Sequence, residues 1–232
     1  MEGAAHFEVH MKTTTRVLVS VVLLAGWLGS HSGVSRADGD IGTNQQLIAA
    51  ARSGDEASVN AALAAGAAVD SRNRIGDTAL ITACKKGATG MARTLIDHGA
   101  KVNQPNAQGV TALMAAAYGG SDEIARMLLA HGADPLATDR VGKTAMEYAA
   151  GQGSTAVVQL LLDNGVDVNR LYKNDLTALM WASGYDRADT VKLLLARGAN
   201  PALRDNRGMS AQDIAAQTGS THAAVSLSSN RN

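Results

Sequence analysis

The chain has 232 residues, 46% of them hydrophobic, and its 21 Lys and Arg are matched by 21 Asp and Glu. That length admits one or two ordinary domains. The absence of net charge excludes a global attraction to nucleic acid or to an anionic membrane surface, so charge can act only locally.

Lys12 and Arg16 stand before an apolar run at 17–28, and Ser35-Arg36-Ala37 follows it. A basic start, an apolar centre and small residues at a cleavage point are the layout of a secretory signal peptide, with cleavage expected after Ala37. Residues 1–10 then read as an extension upstream of a start at Met11. The run is shorter than the roughly 20 residues that span a bilayer, so no stable membrane insertion is expected once it is removed. Residues 38–42 are read as a linker. Export predicts a periplasmic location, or alternatively a secreted one, and an oxidising environment. Cys84 is the only cysteine, which leaves no internal disulfide, so stability must come from packing.

From residue 43 the sequence repeats every 33 residues. Thr78, Thr111, Thr144, Thr177 and Ser210 form one series, Gly66, Gly99, Gly132, Gly165 and Gly198 a second, and Ala50, Ala83, Ala116, Ala149, Ala182 and Ala215 a third. A constant period of this kind marks an elongated array rather than two globular domains. Within one unit, Leu80, Ile81, Ala83 and Cys84 at helical spacing behind the hydroxyl of Thr78 predict a first helix over 77–86. Gly87 allows a left-handed stop, and Ala92, Leu95 and Ile96 predict a second helix over 91–98 that ends at Gly99. Short segments rich in Asn, Asp and Gly turn the chain into the next unit. Isolated helices below about 12 residues are marginal in water, so each pair needs its neighbours. Leu128, Leu129, Leu161, Leu162, Leu194 and Leu195 are expected to fill the shared core, and small Ala115, Ala116 and Ala149 to let helices approach closely. Cys84 falls where Ala117, Ala150, Ser183 and Ala216 stand, a small buried position.

The Gly-x-Thr-x-Leu opening and the Leu-Leu-x-x-Gly-Ala close recur in phase over about 43–224 and resemble the ankyrin repeat. The resemblance implies an all-α solenoid of paired antiparallel helices with short finger-like turns. About six repeats, two of them caps, would lie near 43–72, 73–105, 106–138, 139–171, 172–204 and 205–225, with a disordered tail at 226–232. The family's Thr-Pro-Leu-His opening reads here as Thr78-Ala79-Leu80-Ile81, Thr111-Ala112-Leu113-Met114, Thr144-Ala145-Met146-Glu147 and Thr177-Ala178-Leu179-Met180. Without the proline that presets a first helical turn, and without the histidine, some rigidity should be lost. In the fifth unit Asp175 and Asp186 occupy glycine positions where φ should be positive, at a cost of order 1 kcal/mol each.

No phosphate-cradling loop, His-Glu-x-x-His, nucleophile elbow or zinc-spaced cysteine pair is present, so no enzyme, metal or cofactor is expected. His98 and His131 end adjacent second helices about 8–10 Å apart, too far to share an ion, and read as partners of helix C-termini. Glu147 and Asp213 lie two repeats apart and cannot flank one scissile bond.

Proteins that resemble this family bind other proteins through fingertips and exposed first-helix faces on the concave side. The fingertip positions are Arg74, Ala107, Arg140, Lys173 and Asn206; Asp77, Val110, Lys143, Leu176 and Met209 precede the helices, and Arg52, Lys85 and Lys86 end two of them. Seven of these residues are basic and only Asp77 is acidic, which suits an acidic protein partner, a merely solvated face being the alternative. Tyr118, Tyr172 and Tyr185 are expected to be exposed anchors, whereas Tyr148 and Trp181, in equivalent positions, are expected to pack on each other. The expectation is a monomeric protein-binding module without nucleic-acid affinity. A stress-protective or inhibitor protein that shields a periplasmic enzyme is the alternative.

Overall fold

The computed structural model describes residues 41–229. The predicted signal segment and its cleavage point lie outside them. The described residues form twelve α-helices in six pairs: α1 (Ile41–Ser53) with α2 (Glu56–Ala64), α3 (Ala79–Lys86) with α4 (Thr89–Asp97), and α5 (Ala112–Gly119) with α6 (Asp122–Ala130). These are followed by α7 (Ala145–Gln152) with α8 (Thr155–Asp163), α9 (Ala178–Gly184) with α10 (Ala188–Ala196), and α11 (Ala211–Thr218) with α12 (Thr221–Ser229). No strand occurs among the described residues, and none of their helices is long and apolar enough to cross a membrane. First helices stack on first helices and second helices on second helices, unit after unit.

Two boundaries differ from the sequence reading. Residues 41 and 42, assigned to a linker, already belong to α1. At the other end the predicted tail is helical to Ser229, because Leu227 and Ser226, 3% and 7% exposed, are covered where α12 packs against α10.

The core runs through the stack as the repeat requires. Leu95, Leu128, Leu161 and Leu194 have no exposed surface, and burying each leucine contributes about 1.5–3 kcal/mol. Leu129 and Leu162 are only half-buried. Cys84 is fully buried, as are its counterparts Ala117, Ala150 and Ser183, although Ala216 in the last unit is exposed.

Side chains cap the starts of the first helices. Thr78, Thr111 and Thr177 hydroxyls accept the N–H of Ile81, Met114 and Met180 at 3.2, 3.3 and 3.2 Å. Glu147 and Asp213 reach back to the N–H of Thr144 and Ser210 at 2.8 and 2.9 Å, so the two carboxylates that suggested chemistry close capping boxes. At the C-terminal end of the second helices, His98 and His131 Nδ1–H donate to the carbonyls of Thr94 and Met127 at 2.8 Å.

The finger turns share a second device. One side-chain oxygen of Asn73, Asn106, Asp139 and Asp205 accepts two backbone N–H groups, two and four residues ahead. The fifth finger has Tyr172 at this position and instead forms a 3-10 turn, Lys173–Asp175, with Asn174 and Asp175 at φ 63° and 60°. Adjacent fingers are tied by Ala107 N–H to Ile75 O, Arg140 N–H to Gln108 O and Asn206 N–H to Asn174 O. Between the fourth and fifth fingers the tie is a side chain, Lys173 Nζ to Val141 O at 3.2 Å. A parallel ladder runs beneath, in which Asp70, Asn103 and Asn169 accept the N–H of Lys101, Asp134 and Asn200. Leu136 occupies the equivalent place in this ladder and offers no acceptor.

Candidate protein-binding face

The finger turns and the first helices together present the residues that the sequence assigned to a partner. Arg74, Lys86 and Arg140 are exposed, and their side chains make no bond among the described residues. Lys173 is exposed with its ammonium on Val141 O. Lys85 belongs to a different class, because it lies 2.7 Å from Asp77, whose side chain is 5% exposed and also accepts from Asn106. The one acidic residue counted on the strip is therefore buried, and it neutralises one of the seven cations.

Val110 and Leu176 are half-buried, in keeping with apolar groups set between fingers. Tyr118 and Tyr185 are 58% and 54% exposed, as expected of anchors. Tyr172 is not an exposed anchor. It is 9% exposed, its ring under Arg170 at 5.9 Å, because it takes a place in the turn that points inward wherever Asn or Asp fills it.

Tyr148 and Trp181 do not pack on each other. Lys143 Nζ stands over both rings, 4.3 Å from the Trp181 centroid and 5.6 Å from that of Tyr148. Tyr148 pairs edge-on with Tyr118 at 6.1 Å, while Trp181 stacks on Tyr185 at 6.0 Å and an interplanar angle of 8°. The order along the first helices is thus Tyr118, Tyr148, Lys143, Trp181, Tyr185. Gly151 lies beneath this stack, where a Cβ would make ordinary contact with the Tyr185 ring at 3.6 Å. Burial, then the hydrogen bond to Asp139, pushes the Tyr148 hydroxyl far above the ordinary tyrosine range, so it remains a donor.

Sequence reasoning passed over Trp181 as a surface group, and it passed over Ile75 and Val141, which are 52% and 56% exposed beside the fingertips. The signal for the last two was their step, one residue beyond Arg74 and Arg140. A pocket of about 380 Å³ opens between the fifth and sixth units, lined by Leu176, Met180, Trp181, Tyr185, Arg207 and Ile214 among others. No group of His, Cys, Asp or Glu that could hold a metal ion occurs among the described residues.

Comparison with known proteins agrees with this architecture. The family model for ankyrin repeats in three copies matches residues 47–139 and 135–205. Among solved structures, the crystal structure of EF0377, an ankyrin repeat protein, is 32% identical, with a TM-score of 0.71 over 80% of this chain and 97% of that one. No curated protein matches. Ankyrin repeats are in general protein-binding scaffolds, not a catalytic family, and with the family model covering well over half of its length, this chain belongs to the ankyrin-repeat family.

Proposed function

We propose that the protein is an exported, periplasmic binding module that holds an acidic protein partner on the face formed by its fingertips and first helices. The observation that carries this reading is the segregation of unpaired cations and aromatic groups on that face. Arg74, Lys86 and Arg140 have no counter-ion among the described residues, Lys143 is shared by two rings, and the nearby carboxylates of Asp77, Asp205 and Glu147 are buried. Long-range attraction steers an acidic surface toward such a strip, and rigid aromatic rings then hold it by contact. Export rests on the basic, apolar and small-residue order at 12–37.

The test is charge reversal at three of the unpaired cations, Arg74→Glu, Lys86→Glu and Arg140→Glu. Capture of the partner from a periplasmic extract should fall strongly and lose most of its salt dependence, with unchanged helical circular dichroism. Unchanged capture by the folded triple variant would reject the reading.

A further inference from the structure

Within that reading, the fifth and sixth fingers carry a more specific recognition site. At Gly76 and Gly109 an added Cβ would stand 2.6 Å from Ala107 N and 2.9 Å from Arg140 N, so the next finger packs directly on these glycines. The equivalent residue of the fifth finger is Asp175, which carries a full side chain at φ 60°. The sixth finger keeps the backbone tie, Asn206 N–H to Asn174 O, but meets a carboxylate side chain where the earlier fingers offer only a glycine. A polar cleft lined by Asn174, Leu176, Asp205, Asn206 and Arg207 opens there, and it shares Leu176 and Arg207 with the apolar pocket beside Trp181.

The chemistry of the two parts differs in a way that matches a polypeptide. The side-chain amides of Asn174 and Asn206 are exposed and make no bond among the described residues, the only tie between them running from Asn206 N–H to Asn174 O. Free amides offer both a donor and an acceptor, the pair that an extended main chain needs. The pocket walls are mostly apolar, and the buried Trp181 indole N–H has no acceptor among the described residues. Lys143 stands over the Trp181 ring at the edge of the pocket and Lys173 is exposed on the fifth finger beside the exposed Asp175, while Asp205 and Asp213 pair with Arg207 and Arg204. We propose that this cleft receives an extended acidic segment of the partner, its main chain on Asn174 and Asn206 and one large apolar side chain in the pocket against Trp181. This assignment rests on the reading of the whole face given above.

The full chain carrying Trp27→Phe keeps Trp181 as its sole tryptophan, so one indole resonance reports on the pocket. The probes are three capped peptides, Asp-Glu-Asp-Phe-Asp-Glu-Asp, the same with Ser in place of Phe, and Lys-Lys-Lys-Phe-Lys-Lys-Lys. The acidic Phe peptide should shift the indole resonance saturably below about 1 mM, with the Ser peptide roughly tenfold weaker and the basic peptide silent. Asn174→Gly with Asn206→Ala, which preserves the positive φ and the finger-to-finger backbone bond, should weaken the Phe peptide by about tenfold. Thr218→Phe, a substitution that occupies the pocket, should erase the preference for Phe over Ser. Equal binding of the Phe and Ser peptides, an unshifted indole, or indifference to Thr218→Phe would overturn the proposal. Should charge reversal at Arg74, Lys86 and Arg140 abolish partner capture while any of these three results is found, the binding face stands and the pocket falls.

Discussion

Asp186 Oδ1 accepts the backbone N–H of Ala223 at 2.8 Å, while its Oδ2 meets His222 Nδ1 at 2.7 Å. A residue at φ 57°, which from sequence is only a strained stand-in for glycine, thus caps the first turn of the last helix from the preceding unit. Asp186→Gly relieves the backbone yet releases α12. The expected outcome is faster amide exchange across α12 and a lower thermal midpoint, with Asp186→Asn in between because it keeps an acceptor. The hydrogen bond from His222, and after it the N–H of Ala223, hold this carboxyl below the usual range. A depressed folded pKa gives stability that is complete above the unfolded value of about 4 and is lost as pH falls through the folded one, so acid should loosen α12 in wild type but not in Asp186→Gly.

Glu147 presents the opposite sign. Burial raises its pKa against the lowering influence of its bonds to Thr144. Protonation is therefore favoured in the folded state, and the stability it contributes is present below the unfolded pKa of about 4.3 and lost as pH rises through the raised value. Glu147→Gln should be at least as stable as wild type at neutral pH, and its stability should vary less with pH across this window. Glu147→Ala leaves the Thr144 N–H buried without an acceptor and should cost about 1–3 kcal/mol in denaturant unfolding.

Reversal at Lys143 differs from reversal at Arg140. A carboxylate at position 143 would face the electron-rich rings of Trp181 and Tyr148, forfeiting a cation–π contact of about 0.5–2 kcal/mol and adding repulsion. Lys143→Glu should lower the midpoint of unfolding and alter Trp181 fluorescence, whereas Arg140→Glu should leave both unchanged.

Burial pushes the Cys84 thiol up to about 12, so no thiolate forms at neutral pH in the closed protein. Alkylation should proceed only through opening of the stack, at a rate that rises with denaturant. Cys84→Ser should be tolerated, because Ser183 in the equivalent place donates to Leu179 O at 2.7 Å and a serine at 84 has Leu80 O in the same relation.

The period of Thr, Gly and Ala made the helix pairs, their order and the core leucines legible, because each is fixed by local geometry repeated in register. Tyr172 was misplaced because its turn position is defined by the N–H groups that Asn73, Asn106 and Asp139 bind, a relation hidden when the residue changes to an aromatic. The positive φ of Asp186 was legible but its capping role was not, and Leu227 was misjudged, because their partners, Ala223 and the α10 surface, lie in another unit. Lys143 between two rings could not be read from the 33-residue step alone, which puts Tyr148 and Trp181 in equivalent places without saying what stands between them.

The two finger-side ladders are interrupted at one and the same junction. Leu136 breaks the lower one, and Lys173 replaces a backbone tie with a flexible side chain in the upper one, both between the fourth and fifth fingers. At that level the helices remain fastened, by Arg187 Nε to Gly151 O and by Thr155 to Thr190. The stack therefore has a joint with a fixed back and a free edge. Tension along the stack is expected to part the finger edge there before any other junction, leaving only the contacts of Lys143 and Lys173 to resist it.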